Sequence, residues 1–196
     1  LMQRQNAYQS AKDLARRDAR NLTQVLESKL HAQLDAADNI GAALAEGLER
    51  AAMHQSAVNK YHAQTTRLIQ SLARAASAAP SIRIFDRQGR LLYSEVENES
   101  QYSVADRDYF RRLKEDPALS SIFSEVLIGR TLKRPLMVKA DAVRDSNGML
   151  LGIATVVVDM HALYDEFSKI ELGPGGVIVL RRVDNGATVV RYPGPI

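Results

Sequence analysis

The chain has 196 residues, 45% of them hydrophobic and 25% charged, with a formal net charge of +3 and no Cys or Trp. That apolar share supports one core with a long helical extension and excludes the low-hydrophobicity composition of a disordered chain. Without Cys there is no disulfide scaffold, thiolate metal site or Cys nucleophile.

Residues 1–80 are rich in Ala, Leu, Gln, Arg and Glu, the strong helix formers. Leu14, Leu22, Leu26, Leu30, Leu34, Ala37, Ile40, Leu44 and Leu48 recur at steps that keep one face of a helix apolar. The pattern predicts a helix of about 45–50 residues, roughly 70 Å long, with a break near residues 53–56. A second helical pattern runs from Val58 through Tyr61, Leu68, Ile69 and Leu72 and stops at Pro80, which cannot continue a helix. A helix as long as the first pairs with a copy of itself or serves as a stalk. The alternative is a helical hairpin packed on the rest of the chain. The positive charge belongs to this part, since residues 1–80 hold 10 Lys/Arg against 7 Asp/Glu and residues 81–196 hold 16 of each.

After Pro80 the texture changes to short β-rich runs separated by turns. Residues 81–85 alternate, Asp86-Arg-Gln-Gly89 turns, and residues 90–93 return as in a hairpin. Asp106 is placed as the N-cap of a short helix over residues 106–113. Residues 121–128 and 134–143 read as strands. The Asn147-Gly148 turn leads into residues 149–158, the most β-branched run and a central strand. Residues 160–169 read as a helix, and residues 177–182 and 188–191 as a last hairpin around Asp184-Asn-Gly186. The sum is an α+β fold: a long N-terminal helix and an antiparallel sheet of about five strands flanked by helices.

Most chemistry-bearing motifs are missing. There is no His-Glu-x-x-His and no Gly-x-Ser-x-Gly, and His31, His54 and His62 lie on helical faces as solvated residues. Gly173-Pro-Gly-Gly176 lacks the Lys-Ser/Thr of a phosphate loop and precedes a strand, so it reads as a turn. Basic residues are interleaved with acidic ones, which argues against nucleic-acid binding. No run of about 18 apolar residues spans a membrane. No catalytic group, metal site or cofactor is expected.

One segment remains: Tyr102-Ser-Val-Ala-Asp-Arg-Asp-Tyr-Phe110, after the acidic residues Glu95, Glu97 and Glu99. Arg107 with Tyr102 and Tyr109 can offer a planar cationic fork and two hydroxyls to a small anion, most naturally a carboxylate. The alternative is a capped helix in which Tyr109 and Phe110 are core and Arg107 pairs with a neighbouring acid.

The order of these features resembles a Cache domain, the extracytoplasmic PAS-like sensor of bacterial signalling receptors. The resemblance is carried by the long entry helix, Pro80-Ser-Ile-Arg-Ile-Phe-Asp-Arg-Gln-Gly-Arg-Leu-Leu-Tyr93, Asp106-Arg-Asp-Tyr-Phe110, the Asp145-Ser-Asn-Gly148 turn with its following strand, and the closing phrases over residues 172–180 and 190–193. It implies a stalk and dimerisation helix over residues 1–54 and a membrane-distal sensor lobe over residues 55–196 of a longer, membrane-anchored chain. It also implies flanking transmembrane helices, a periplasmic location and a homodimer. The closing phrases look most like sensors of diguanylate cyclases, with histidine kinases and chemoreceptors sharing the fold.

By the same resemblance Arg107 and Tyr109 would hold a ligand carboxylate beside Tyr102, and Asp159 would hold a ligand amine. Tyr109 stands where Trp is usual and Phe110 where Tyr is usual. A later Tyr of the family is missing, and its strand offers Lys139 and Asp141 instead, Lys139 as a second cation for an anionic ligand. Asp159 also reads plainly as the N-cap of the helix at Met160. A dimerisation and spacing module with no ligand in this lobe is the rival reading.

Overall fold

The computed structural model describes residues 2–75, 81–95 and 102–194. The Pro80 boundary and the acidic Glu97 and Glu99 lie outside these residues. Helix α1 (Met2–Gly47) ends at a glycine, the residue type that costs a helix most after proline. Two 3₁₀ turns, Arg50–Ala52 and Gln55–Ala57, lead into α2 (Val58–Ala75), so the break opens a few residues earlier than the sequence pattern suggests. The chain divides into two compact units, Leu1–Asp35 and Ala36–Ile196. The first is a single helical segment whose Leu14 and Val25 are 55% and 54% exposed. The second contains everything else, including the last turns of α1 with their buried Ala37, Ile40 and Leu44.

Strands β1 (Ile82–Asp86) and β2 (Leu91–Ser94) form the expected hairpin. Its turn is held by the buried Asp86 carboxylate, which accepts from the amides of Gln88 (2.8 Å) and Arg90 (2.9 Å) and from Arg90 Nε (2.8 Å). Helix α3 (Asp108–Glu115) follows, with Arg107 at its N-cap. Asp106, the expected cap, pairs instead with Arg130. At the other end of α3, Arg144 Nη2 donates to the carbonyls of Leu113 (2.7 Å) and Asp116 (3.0 Å), placing a cation on the last turn.

Residues 121–128 are two short strands rather than one, β3 (Ser121–Phe123) and β4 (Leu127–Ile128). Both pair with β5 (Pro135–Arg144). Ser124 separates them: its hydroxyl accepts from the Val138 amide (2.9 Å) and donates to the Glu125 carbonyl (2.6 Å), which turns the chain out of register. Strand β6 (Leu150–Asp159), the β-branched run, pairs with β5 on one side and β1 on the other. The main sheet is six-stranded and antiparallel in the order β2-β1-β6-β5-β3, with β4 also on β5. Helix α4 (Met160–Ser168) follows β6. The last hairpin, β7 (Ile178–Arg181) and β8 (Thr188–Tyr192), is a separate two-stranded sheet. It is joined to α4 by an edge-to-face contact of Tyr164 and Tyr192 at 5.2 Å.

Alternation sorts the central strands into two faces. Ile84, Tyr93, Met137, Lys139, Asp141, Gly152 and Val156 share the face covered by α2 and the end of α1, where the Tyr93 hydroxyl donates to the Ala52 carbonyl at 3.0 Å. Phe85, Leu136, Val138, Ala140 and Ile153 share the other, packed with Tyr109, Phe110 and Leu113 of α3. Leu113 is fully buried in that cluster. Leu113→Ala is expected to destabilise the protein by about 2–5 kcal/mol, measured as a lower urea midpoint at unchanged m-value.

Candidate functional site

The sheet face turned away from α1 and α2 carries a cleft. Its floor is Phe85 of β1, Leu136 and Val138 of β5, and Thr155 and Val157 of β6. One wall is Tyr102, Arg107 and Tyr109, from the segment that enters α3. The other is Leu127 with the β4–β5 loop, where the Gly129 amide donates to the Arg134 carbonyl at 3.0 Å. The free space is about 20 Å³, room for about one water. Arg83, Arg107 and Arg130 all contribute to the lining, and no Asp or Glu does among the described residues.

Arg107 owes its position to the N-cap of α3, where the backbone is extended and swings the side chain off the helix axis. Its Nη2 donates to the Ile128 carbonyl at 3.3 Å. Its Nε is buried with no hydrogen-bond partner. A buried donor left unmade costs about 1–3 kcal/mol, a cost that an acceptor entering the cleft would remove.

Tyr109, on the first turn of α3, is 4% exposed. Burial pushes its phenol well above the ordinary value of 10.0, against the weaker pull of Arg107, Arg130 and Arg83. The hydroxyl is therefore neutral at physiological pH and lies in the field of three cations. Tyr102 contacts the Phe85 ring, 5.8 Å between centroids, and lies under the Arg83 guanidinium, 5.5 Å from its own centroid. Arg130 donates to the Ser103 carbonyl and to the Asp106 carboxylate, and that bond holds the Asp106 carboxyl below the usual range.

The structure thus brings Tyr102, Arg107 and Tyr109 together. Phe110 is core, 1% exposed, beneath α3. Lys139 and Asp141 stand on the opposite face of the sheet and do not line the cleft. Lys139 Nζ lies 2.9 Å from Asp141 Oδ1 and 2.6 Å from Asp38 Oδ1 of α1. The physical reason is the period of two: Val138 and Ala140 face the cleft side, so 139 and 141 face the helices. Asp159 is the N-cap of α4, its Oδ1 accepting from the His161 amide at 2.9 Å and its Oδ2 pairing with Arg134. Both oxygens are engaged within the protein.

Two cleft residues escaped the sequence reading. Arg83 had a signal, a charged side chain in register with Phe85 inside an apolar strand. Arg130 had none, since only the fold of the β4–β5 loop brings it to the cleft. Among the described residues no group of three or more His, Asp or Glu is placed to hold a metal ion, and no helix is long and apolar enough to cross a membrane.

The fold is similar to that of extracellular ligand-binding and sensor domains of chemoreceptors and histidine kinases. The ligand-binding domain of the Campylobacter jejuni chemoreceptor Tlp3, solved with 4-methylisoleucine, matches 92% of this chain and 71% of its own, at TM-score 0.67 and 11% identity. An extracellular ligand-binding receptor from Desulfohalobium retbaense matches 88% of this chain at TM-score 0.66 and 17% identity, and the chain spans 30% of that receptor. The extracellular domain of a protein described as a histidine kinase, rpHK1S-Z16, matches 92% of this chain and 72% of its own, at TM-score 0.62 and 18% identity. At such identities the likeness is one of fold. No protein-family model matches the sequence, and no curated protein sequence does.

Tyr109 is expected to ionise well above the ordinary tyrosine value. In an alkaline absorbance titration of the folded protein, Tyr109→Phe should remove a phenolate step that lies above the ordinary tyrosine range.

Proposed function

We propose that the chain is the extracytoplasmic ligand-sensing lobe of a membrane-bound signalling receptor. It binds a small carboxylate or amino-acid-like molecule in the cleft. The single observation that carries this reading is the buried, unpartnered Nε of Arg107 in a cleft lined by three guanidiniums. A carboxylate meeting the Nε edge of that guanidinium gains a charge-assisted bond and relieves the unmade one. The neutral hydroxyl of Tyr109 is available to donate to the same carboxylate, and the ring of Tyr102 closes the side. The neighbours in fold include a chemoreceptor domain solved with 4-methylisoleucine, which supports a ligand of this class.

The closed cleft opens to admit the ligand and closes on it. Differential binding to the two arrangements shifts residues 1–54, the stalk, relative to residues 55–196, the sensor. The output is a cytoplasmic domain reached through flanking transmembrane helices. A diguanylate cyclase is the first choice, on the closing phrases of the sequence; a histidine kinase or a chemoreceptor signalling domain fits the fold equally well.

A thermal-shift screen against amino acids, carboxylates and amines tests the reading, because a ligand of the folded state raises the midpoint. Arg107→Ala is expected to weaken the best carboxylate at least tenfold by calorimetry, with the melting temperature of the free protein changed by only a few degrees. Unchanged affinity would sink the assignment of the site.

The exposed Leu14 and Val25 on α1 favour a second role beside the first, self-association through the N-terminal helix. Sedimentation should find a dimer that Leu30→Asp with Leu34→Asp converts to monomer. A dimer together with no hit in the screen would favour the spacing module over the sensor.

A further inference from the structure

The sheet face turned away from the cleft holds a charged cluster that ligand binding does not use. Lys139, near the middle of β5, is 2% exposed. A buried ammonium keeps its charge only if it is paired. Its two partners differ in kind. Asp141 lies on the same strand, its side chain 8% exposed and its Oδ1 2.9 Å from Nζ. Asp38 belongs to α1, its side chain 60% exposed and its Oδ1 2.6 Å from Nζ. Lys139 and Asp141 make a neutral pair that moves as one body with β5. Asp38 adds a third charge from outside, and releasing it returns to water a group already mostly in water. Releasing Asp141 would leave a buried carboxylate unpaired.

Gly41 follows Asp38 by three residues and lies on the same face of α1. A Cβ on Gly41 would lie 2.0 Å from Asp141 Oδ2, so the bare backbone of the helix rests directly on that carboxylate. Asp141 Oδ2 is buried without a hydrogen-bond partner, and burial pushes the carboxyl up. The contact is thus close but incompletely bonded. One residue before Lys139, on the other side of the strand, Val138 is part of the cleft floor. A single strand therefore carries the cleft on one face and the seat of α1 on the other.

We infer that Lys139 with Asp141 is a fixed seat on β5 and that Asp38 is the latch by which the last turns of α1 dock on it and leave it. The inference rests on the sensor reading only for its purpose, signal transmission; the latch itself is a property of the free protein.

Because the chain has no Cys, Asn39→Cys on α1 and Ser146→Cys at the β5–β6 turn, both exposed positions, carry two spin labels without background. In the whole 196-residue chain the parent should give one narrow distance distribution. Asp38→Ala should widen it at least twofold or add a longer population, with helical circular dichroism preserved, and Asp38→Asn should do so to a lesser degree. Gly41→Ala, which keeps every charge, should shift the same distribution by steric displacement. A distribution in Asp38→Ala that superimposes on the parent's overturns the latch. So does loss of helical signal in Asp38→Ala, because the contact would then hold the fold together and could not be made and broken. The sensor reading fails separately, in the ligand screen, whatever the distances show.

Discussion

The antiparallel pairing of β5 with β6 is the constraint on which the rest of the fold depends. The two ten-residue strands run in register from Leu136 opposite Asp159 to Val143 opposite Gly152. That register alone decides which side chains share a face. It puts Val138 beside Val157 under the cleft and Lys139 beside Val156 under α1. Gly152 lets β1 close on the pair, since a Cβ there would lie 2.0 Å from the Phe85 carbonyl oxygen. The Thr155 hydroxyl then donates to the Arg83 carbonyl at 3.0 Å, which ties the strand that carries Arg83 to the centre of the sheet. A slip of one residue would exchange the two faces and carry Lys139 into the cleft.

The two faces solve the burial of charge in opposite ways. Beneath α1 the ammonium of Lys139 is neutralised by carboxylates of the protein itself, and the cluster is a structural contact between strand and helix. In the cleft the guanidiniums of Arg83, Arg107 and Arg130 surround a phenol that burial keeps neutral, and one of their buried N–H groups has no acceptor. A buried donor left open is destabilising in the free protein. Each face keeps a buried polar atom without a partner, Arg107 Nε in the cleft and Asp141 Oδ2 beneath α1.

Much of the fold was legible. The spacing of Leu30, Leu34, Ala37, Ile40, Leu44 and Leu48 announced α1, and Asp86-Arg-Gln-Gly89 and Asn147-Gly148 announced their turns, because helix period and turn chemistry are local properties. Three elements were read less well for reasons beyond local sequence. Ser124 splits a predicted strand by using its hydroxyl as a ladder partner. Arg107 takes the N-cap that Asp106 would favour, because Asp106 has a better partner in Arg130. The β7–β8 hairpin has strand texture like the others, yet it pairs only within itself as a separate two-stranded sheet and packs on α4. Of the candidate site, Tyr102, Arg107 and Tyr109 lie within eight residues and are held by one turn of structure, so their grouping survived folding. Lys139, Asp141 and Asp159 were assigned across long sequence separations, where face and partner decide.

The sequence by itself determined the class of the fold, the length of the entry helix, the turn positions and the cationic segment before α3. These follow from periodicity, propensity and spacing within a few residues. Only the tertiary structure decided that Arg83 and Arg130 join that segment and that Lys139 and Asp141 turn to α1. The reason is the pleat of the sheet: neighbouring residues on a strand face opposite sides, and which side is the cleft depends on what packs from far along the chain.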